Sequence, residues 1–483
     1  MGIRPERRTA VPAAVRQKCR VSRQRCNLGV LTVMWETDVL IIGGGLAGLN
    51  AAAEIRETAP ELRVLVADSG GGASGEIMGF SAPANPPDSP EALYRDTLAS
   101  GAGASVPALV RLLADRALPE LERLQQMGIR FDRSPDGRFD MVNAVGTSFP
   151  RVVHSGTTTG KQALALLKTD ILAERIIRLA VAADGIAGGW TERGEAIHAK
   201  AVILAGGGFA GLWKFSTWSK KLRGDPALLA MQAGAELHGL GFVQFEPTVT
   251  VFPLHLAGFP VITTVLHEGA KLLNRHGESL LKPGEPVPRK RELAERILRE
   301  IRCGNAWEHG GIRYDFSGIR EEAFARKYPE YHAKFKRLSP DFRSLWFEVK
   351  PGAHTTLGGI RIAPDCSTAV PGLFAAGEAA GGIHGRDRLG GNAGLEVFVF
   401  GRIAGKTAAR YAAVHPFFPF RNTALPGPEP EEFFIRTADL LDRRFDPLST
   451  REDFEAGAAE TDSLPDLPRR RLIRRIFEDA LKQ

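Results

Sequence analysis

The stretch TDVLIIGGGLAGLNAAAEI, residues 37–55, restricts what this chain can fold into more than any other. It reads as a buried apolar strand, a glycine turn and a helix. Gly43, Gly45 and Gly48 form G-x-G-x-x-G. The first glycine permits the tight turn, the second lets a pyrophosphate approach the backbone, and the third lets the helix lie close on the strand. The turn, with Leu46 and Ala47, aims a helix N-terminus at phosphate. RVLVADS then supplies a second strand ending in Asp68, 25 residues after Gly43, where a carboxylate can accept hydrogen bonds from ribose hydroxyls. Strand before, helix after and acid at this distance specify a dinucleotide-binding α/β fold.

The rest of the chain extends this unit. Residues 107–129 have helical apolar spacing, with Gly128 as a stop. HAKAVILAGGGFAG is another buried strand running into Gly206, Gly207 and Gly208, and residues 228–236 read as helix. Between 243 and 350 the character changes to short mixed segments, several prolines and a charged helix at 289–302, which marks an inserted domain. PGLFAAGEAAGG returns to a strand and a glycine turn. DRLGGNAGLEVFVFGRIAG, residues 387–405, then sets Asp387 and Arg388 directly before a glycine-rich helix start. A cofactor reaching from the first glycine turn to this second one must be long, which points to FAD. The second helix N-terminus could stabilise negative charge on a reduced flavin ring. In this reading Gly390, Gly391 and Asn392 approach the ring, Arg388 points into the substrate space, and Glu378 holds a ribose.

Charge and cysteine content limit the partners. Residues 1–34 hold eight basic residues against Glu6, so the formal +7 of the whole chain resides in this leader and the remainder is neutral. A nucleic-acid arm would interleave aromatics with the arginines, and none are there. A secretory or twin-arginine signal at Arg7 and Arg8 would need an apolar core of adequate length, which does not follow. The expectation is an upstream start, with Met34 the true one, and a disordered leader. Cys19, Cys26, Cys303 and Cys366 make no C-x-x-C and no metal-ligand spacing, a reduced, cytoplasmic pattern. No uninterrupted run of about 18 apolar residues is present, so no membrane span is expected.

The segments GGGLAGL, SGTTTGKQAL, GDPALLAMQAGAEL, VQFEPT, GAHTTLGGI, GLFAAGEAA and RLGGNAGLEVFVFGRIAG follow one another in a specific order. In that order the chain resembles the fumarate reductase / succinate dehydrogenase flavoprotein family, which includes L-aspartate oxidase, over roughly residues 36–412. The resemblance implies a split Rossmann-like FAD domain with an inserted α+β capping domain, and substrate lying between cap and flavin. The divisions expected are a leader at 1–34, the FAD domain at 35–242 and 354–415, the cap at 243–353, and a short helical extension at 416–483. Matched position by position, Gly43, Gly45, Gly48, Asp68, Asp225 and Glu378 fall on FAD-contacting positions, with Ser74, Gly206, Gly207, Gly391 and Asn392 completing the cofactor set. His354 and Arg388 match positions that bind substrate carboxylate, and Arg296 in ELAERILREI matches the proton-transferring arginine.

The departures from the family pattern carry information. Some relatives attach flavin through a histidine after a serine, whereas Ser74 is followed by Gly75, so the FAD is expected to be noncovalent. The family's histidine in F-H-P-T is Glu246, a carboxylate that would repel a second carboxylate of the substrate. Its T-E-x-x-R-G-E-G becomes ITTVLHEGA: Ile262 and Thr263 take the threonine and relay glutamate, Leu266 takes the relay arginine, and Glu268 is retained. With a pKa above about 12, an arginine is a poor acid unless its proton is quickly replaced. The cysteines cannot hold an iron–sulfur cluster, and the tail is short for docking a membrane respiratory complex. The function expected is an FAD-dependent oxidoreductase moving a hydride between flavin and a small organic acid. The alternatives are a succinate, fumarate or L-aspartate type dicarboxylate enzyme, and an electron-transfer subunit without its own substrate. A separate electron-transfer partner is consistent with all three readings; no nucleic acid is expected.

Overall fold

A strand covered by helices on both faces must be apolar on both, and Val39, Leu40 and Ile41 are fully enclosed. In the computed structural model, which describes residues 20–25, 31–420 and 425–483, they lie in the strand Leu31–Ile42 at the centre of an eight-stranded sheet. Val64–Ala67 pairs with it in parallel on one side and Ala196–Leu204 on the other. Ile171–Leu172 extends the parallel sheet beyond Val64–Ala67, and Leu373–Ala375 pairs in parallel with Ala196–Leu204. The last of these strands returns the chain to the sheet after the insertion. An antiparallel hairpin, Ile176–Ala182 with Gly185–Thr191, completes this sheet.

Two helices cross closely on one face of the sheet. Leu46–Thr58 follows the first glycine turn and Asn392–Val414 follows the second. Gly401 and Gly405 lie one turn apart on the second helix. A Cβ at either would stand 2.5 Å from the carbonyl oxygen of Ala47 or Ala51 on the first. Only glycine permits that approach.

Residues 243–356 carry a separate antiparallel sheet in the order Val243–Phe252, Trp346–Thr356, Ile312–Asp315, Lys271–Leu273. Its core includes Val265, Leu272, Tyr314, Phe316 and Phe347, against which the helix Lys290–Arg302 sets Leu293 and Ile297. The expected break between 353 and 354 falls inside the continuous strand Trp346–Thr356. The reason is mechanical: this strand and Val243–Phe252 both belong to the insert's sheet at one end and line the central cavity at the other.

After the second glycine helix come Glu431–Arg444, Arg451–Glu460 and Pro468–Ala480. Leu440, Leu472, Ile476 and Phe477 pack there with Phe209, Trp213 and Phe245 in a third core. In the leader, Arg20–Arg25 forms a strand pairing antiparallel with Leu31–Glu36, so these residues depart from the expected disorder. Residues 1–19 and 26–30, with Cys19 and Cys26, lie outside the described residues. Among the described residues no helix is long and apolar enough to cross a membrane.

The helix crossing gives a direct test. Gly405→Ala puts a methyl group against Ala51 backbone, and overpacking of this kind costs about 1–3 kcal/mol. Its urea midpoint should fall accordingly. Gly427→Ala, where an added Cβ meets nothing within 4 Å, should leave the midpoint unchanged.

Candidate functional site

One cavity of about 960 Å³ joins the two glycine turns. Gly43 has φ +120°, and a Cβ there would overlap the backbone of Ala205 and Gly206, so the turn excludes any side chain. Gly391, at φ +87° before the second helix, would collide with Ser81. Neither helix is capped by its own N-cap residue, Gly45 or Gly391, and neither has an acidic residue in its first turn. Their N-terminal dipoles therefore face the cavity uncompensated, an arrangement that suits an anionic ligand. Ser74 Oγ accepts from Leu46 N at 2.9 Å, which holds the Ser74 segment over the first helix start.

Gly43, Gly45, Leu46, Ala47, Asp68, Ser74, Gly206, Gly207, Asp225, Glu378 and Gly391 all line this cavity. Two of the expected cofactor residues do not. Gly48 packs the helix on its strand, where a Cβ would overlap the Gly43 carbonyl. Asn392 is fully buried and donates its amide to Thr97 Oγ1 at 3.0 Å, while the neighbouring Ala393 and Gly394 face the cavity. An asparagine at this position reads from sequence as a helix-start ligand, but its side chain serves the core. Asp68 at a strand end, two uncapped helix starts and a cavity of this length fit FAD. When bound, that cofactor supplies hydride exchange.

At the far end the polar groups converge on Arg388. Its Nη2 donates to Gln244 Oε1 at 2.9 Å, and Gln244 Nε2 donates to Asp387 Oδ1 at 2.8 Å and to the Arg388 carbonyl at 2.9 Å. The amide of Gln244 thus holds both the guanidinium and the backbone of Arg388. No ion pair reaches Arg388 among the described residues, and its Nε is enclosed without a hydrogen-bond partner. Removal from bulk water lowers its pKa, with Glu378, Glu396, Asp387 and Glu246 opposing. His354 stacks on Trp218 at 5.3 Å and shares a 2.8 Å hydrogen bond between Nδ1 and Thr217 Oγ1. Enclosure, then the charges of Lys290 and Arg388, hold its pKa well below the usual imidazole range, so it is neutral.

Glu246 is 4% exposed and lines the cavity, but it is not alone. Lys290 Nζ donates to its Oε2 in a close ion pair. The expected repulsion of a second carboxylate by an unpaired Glu246 is therefore corrected: the partner, 44 residues away in sequence, neutralises it. Gln244 and Glu246 face the cavity while Phe245 between them enters the C-terminal core, as strand alternation requires.

Arg296 is placed elsewhere. It lies outside the cavity lining, paired with Glu285 at 2.6 Å and Glu292 at 2.8 Å on the insert's surface. The arginine that does line the cavity from this helix is Arg289, at its start, beside Pro288 and Lys290. Arg289 and Lys290 escape the sequence reading; the signal available for them was Pro288 marking the helix N-terminus. Glu268 is half-buried and lies outside the lining, whereas Ile262 and Thr263 face the cavity. Asp225 keeps a face on the cavity, with its carboxylate gripped by Arg175 at 2.7 and 2.9 Å. Among the described residues no group of His, Cys, Asp and Glu could hold a metal ion.

Comparisons with known proteins agree with this geometry. Residues 38–393 match the family model described as FAD binding domain. A fumarate reductase (CoM/CoB) chain of Methanothermobacter marburgensis is 34% identical over 403 residues, 78% of this chain and 73% of its own. An L-aspartate oxidase of Synechocystis is 31% identical over 385 residues, 75% of this chain and 69% of its own. Among solved structures, Sdh1 of Mycobacterium smegmatis in complex with UQ1 has a TM-score of 0.78 at 28% identity, covering 93% of this chain and 84% of that one. The FrdA chain of E. coli quinol fumarate reductase has a TM-score of 0.80 at 22% identity, covering 93% and 86%, a likeness of fold.

The cavity also makes stability depend on pH. Removal from bulk water pushes the Glu378 carboxyl up from 4.5 to about 7, against hydrogen bonds from Thr356 N and Oγ1. A folded-state pKa above the unfolded one contributes stability that is full below the unfolded value and lost as pH rises through the folded one. The urea midpoint of flavin-free protein should therefore fall as pH rises from about 4.5 to about 7. Glu378→Gln should flatten that fall; an unchanged slope would assign the dependence to other groups.

Proposed function

The chain belongs to the FAD-binding flavoprotein family that includes fumarate reductase and L-aspartate oxidase, and from that premise we propose that it exchanges a hydride between FAD and a small organic acid whose carboxylate is held by Arg388 and His354. The observation that carries this reading is Arg388: a guanidinium in the cavity, oriented by Gln244, with no ion pair among the described residues and an enclosed, unpartnered Nε. Such a group is most stable with an anion beside it. Neutral His354, its other nitrogen engaged by Thr217, can hydrogen-bond the same carboxylate without adding charge.

The geometry favours a dicarboxylate over an acid with a neutral or cationic distal end. Lys290 neutralises Glu246, and Arg289 adds a further cation to the cavity wall. In this reading Arg289, rather than Arg296, orients the substrate and stabilises charge developing beside it, or hands over the proton that accompanies the hydride. Its cation lies within reach of the cavity, whereas Arg296 is held by two surface glutamates. A separate electron-transfer partner completes turnover; the methanogen relative is itself one component of a multi-chain reductase by its name. A cytoplasmic location is proposed on the free thiols of Cys303 and Cys366.

Arg289→Ala should lower kcat with fumarate, succinate or L-aspartate by at least about a hundredfold, the scale of a lost acid catalyst. Arg296→Ala should change it by less than about twofold, as for a surface ion pair. Arg388→Ala should weaken acid binding by at least about a hundredfold, read as flavin spectral perturbation, while the protein keeps its flavin. Equal loss in the Arg289 and Arg296 variants would remove the assignment. Saturating perturbation by monocarboxylates but not by dicarboxylates would instead restore a repulsive Glu246.

The flavin is expected to be noncovalent, because Gly75 follows Ser74 and neither offers an attachment nitrogen. Acid precipitation should leave the yellow colour in the supernatant. Fluorescence that stays with the denatured polypeptide would refute this.

A further inference from the structure

Arg469 is fully buried in the first turn of the helix Pro468–Ala480. Placing a cation there opposes the helix dipole, so something nearby must compensate. Two carboxylates do. Arg469 Nη2 donates to Asp225 Oδ1 at 2.6 Å, and its Nε donates to both oxygens of Glu429 at 3.0 and 2.9 Å. Its Nη1 donates to the carbonyl of Arg223 in a close contact. Arg175 grips the same Asp225 through both of its oxygens. Arg175 and Arg469 with Asp225, Glu429 and Glu192 form a charged cluster between the C-terminal extension and the wall of the cofactor cavity.

The partners of Asp225 bear on what it can still do. A carboxylate offers about four acceptor directions. Arg175 fills two, on Oδ1 and Oδ2, and Arg469 fills one more on Oδ1. One direction remains on Oδ2, and Asp225 lines the cavity. Burial would raise the Asp225 pKa, yet the Arg175 hydrogen bonds and the charge of Arg469 outweigh it, so the group stays ionised. The far end of the same helix is also fixed. Asp479 accepts from Leu240 N at 3.1 Å, and a Cβ at Gly241 would overlap Ala480.

We propose that Arg469 is a positioning residue for the cofactor: from the C-terminal extension it sets the orientation and charge of Asp225, leaving one acceptor direction for a hydroxyl of FAD. This inference rests on the reading that the cavity holds FAD. It assigns the extension a role in cofactor affinity beyond that of covering the third core.

The test is a double-mutant cycle on the full chain, read as the FAD dissociation constant of flavin-free protein by quenching of flavin fluorescence. Arg469→Met should raise that constant about tenfold to a hundredfold, the scale of one lost charge-assisted hydrogen bond and a buried carboxylate left under-compensated. Asp225→Asn should raise it as well. If Arg469 acts through Asp225, adding Arg469→Met to Asp225→Asn should raise it by less than about threefold further. Arg469→Lys, which keeps the charge but lacks the fork, should recover part of the affinity, and it replaces the methionine variant in the cycle should that one not fold. Multiplicative losses in the double variant, or wild-type affinity in a variant whose only change is a lower melting temperature, would overturn the inference. Wild-type protein that fails to bind FAD would instead sink the reading of the cavity.

Discussion

Backbone touches backbone where Ala47 and Ala51 of the first glycine helix meet Gly401 and Gly405 of the second. This crossing joins segments some 350 positions apart in sequence, and the site depends on it. The two helices point their N-termini into one cavity, and each follows a glycine that offers no side-chain cap. Had side chains separated them at the usual 8–10 Å between axes, the two starts would not share a wall of the same cleft. The parallel sheet supports the arrangement from beneath, since Leu373–Ala375 returns to Ala196–Leu204 immediately before the second turn. Insertion of the second sheet between residues 243 and 356 is tolerated because entry and exit are adjacent antiparallel strands.

The charges in the cavity follow from this frame. Arg388 sits on the loop that leads into the second helix, so its position is set by the turn, and Gln244 on the neighbouring strand fixes its plane. Lys290 and Arg289 come from the inserted domain, at the start of a helix whose apolar face is anchored in the insert's own core. One end of the cavity is therefore built on the FAD domain and the other on the insert, where Lys290 pairs with Glu246 of the strand Val243–Phe252.

How much of this could be read in the sequence varies with the range of the interaction. The first glycine turn, the acid at Asp68 and the second glycine helix were legible because each is a local pattern: a strand, a turn and a helix start within a few residues. Arg388 was legible for the same reason. The arginine that lines the cavity from the insert was not. Arg289 and Arg296 lie seven positions apart on one charged helix, two turns, and hence on the same general face. What separates them is surroundings: Arg289, exposed at the helix start, lines the cavity, while Arg296 is taken up by Glu285 and Glu292. No periodicity encodes that. Glu246 failed for a different reason, since its environment is decided by Lys290, which lies outside any window a local reading can use. Asn392 reads as a ligand because its neighbours line the cavity; the direction of its side chain depends on Thr97, nearly 300 positions earlier.

The Glu246–Lys290 pair fixes the start of the helix Lys290–Arg302 on the strand Val243–Phe252. Lys290 is adjacent in sequence to Arg289, so any shift of this helix start along that strand that withdraws Arg289 from the cavity must withdraw Lys290 as well. Glu246 would then remain almost fully enclosed without its counter-ion, which is unfavourable for a carboxylate. Tyr314 does not relieve this: it is fully buried, and its hydroxyl already donates to the Ile262 carbonyl at 3.2 Å. The arrangement that places Arg289 on the cavity wall is thus also the one that satisfies the buried carboxylate. Substrate anions bound by Arg388 would add to the same preference, because they too lie between the two cationic ends of the cavity.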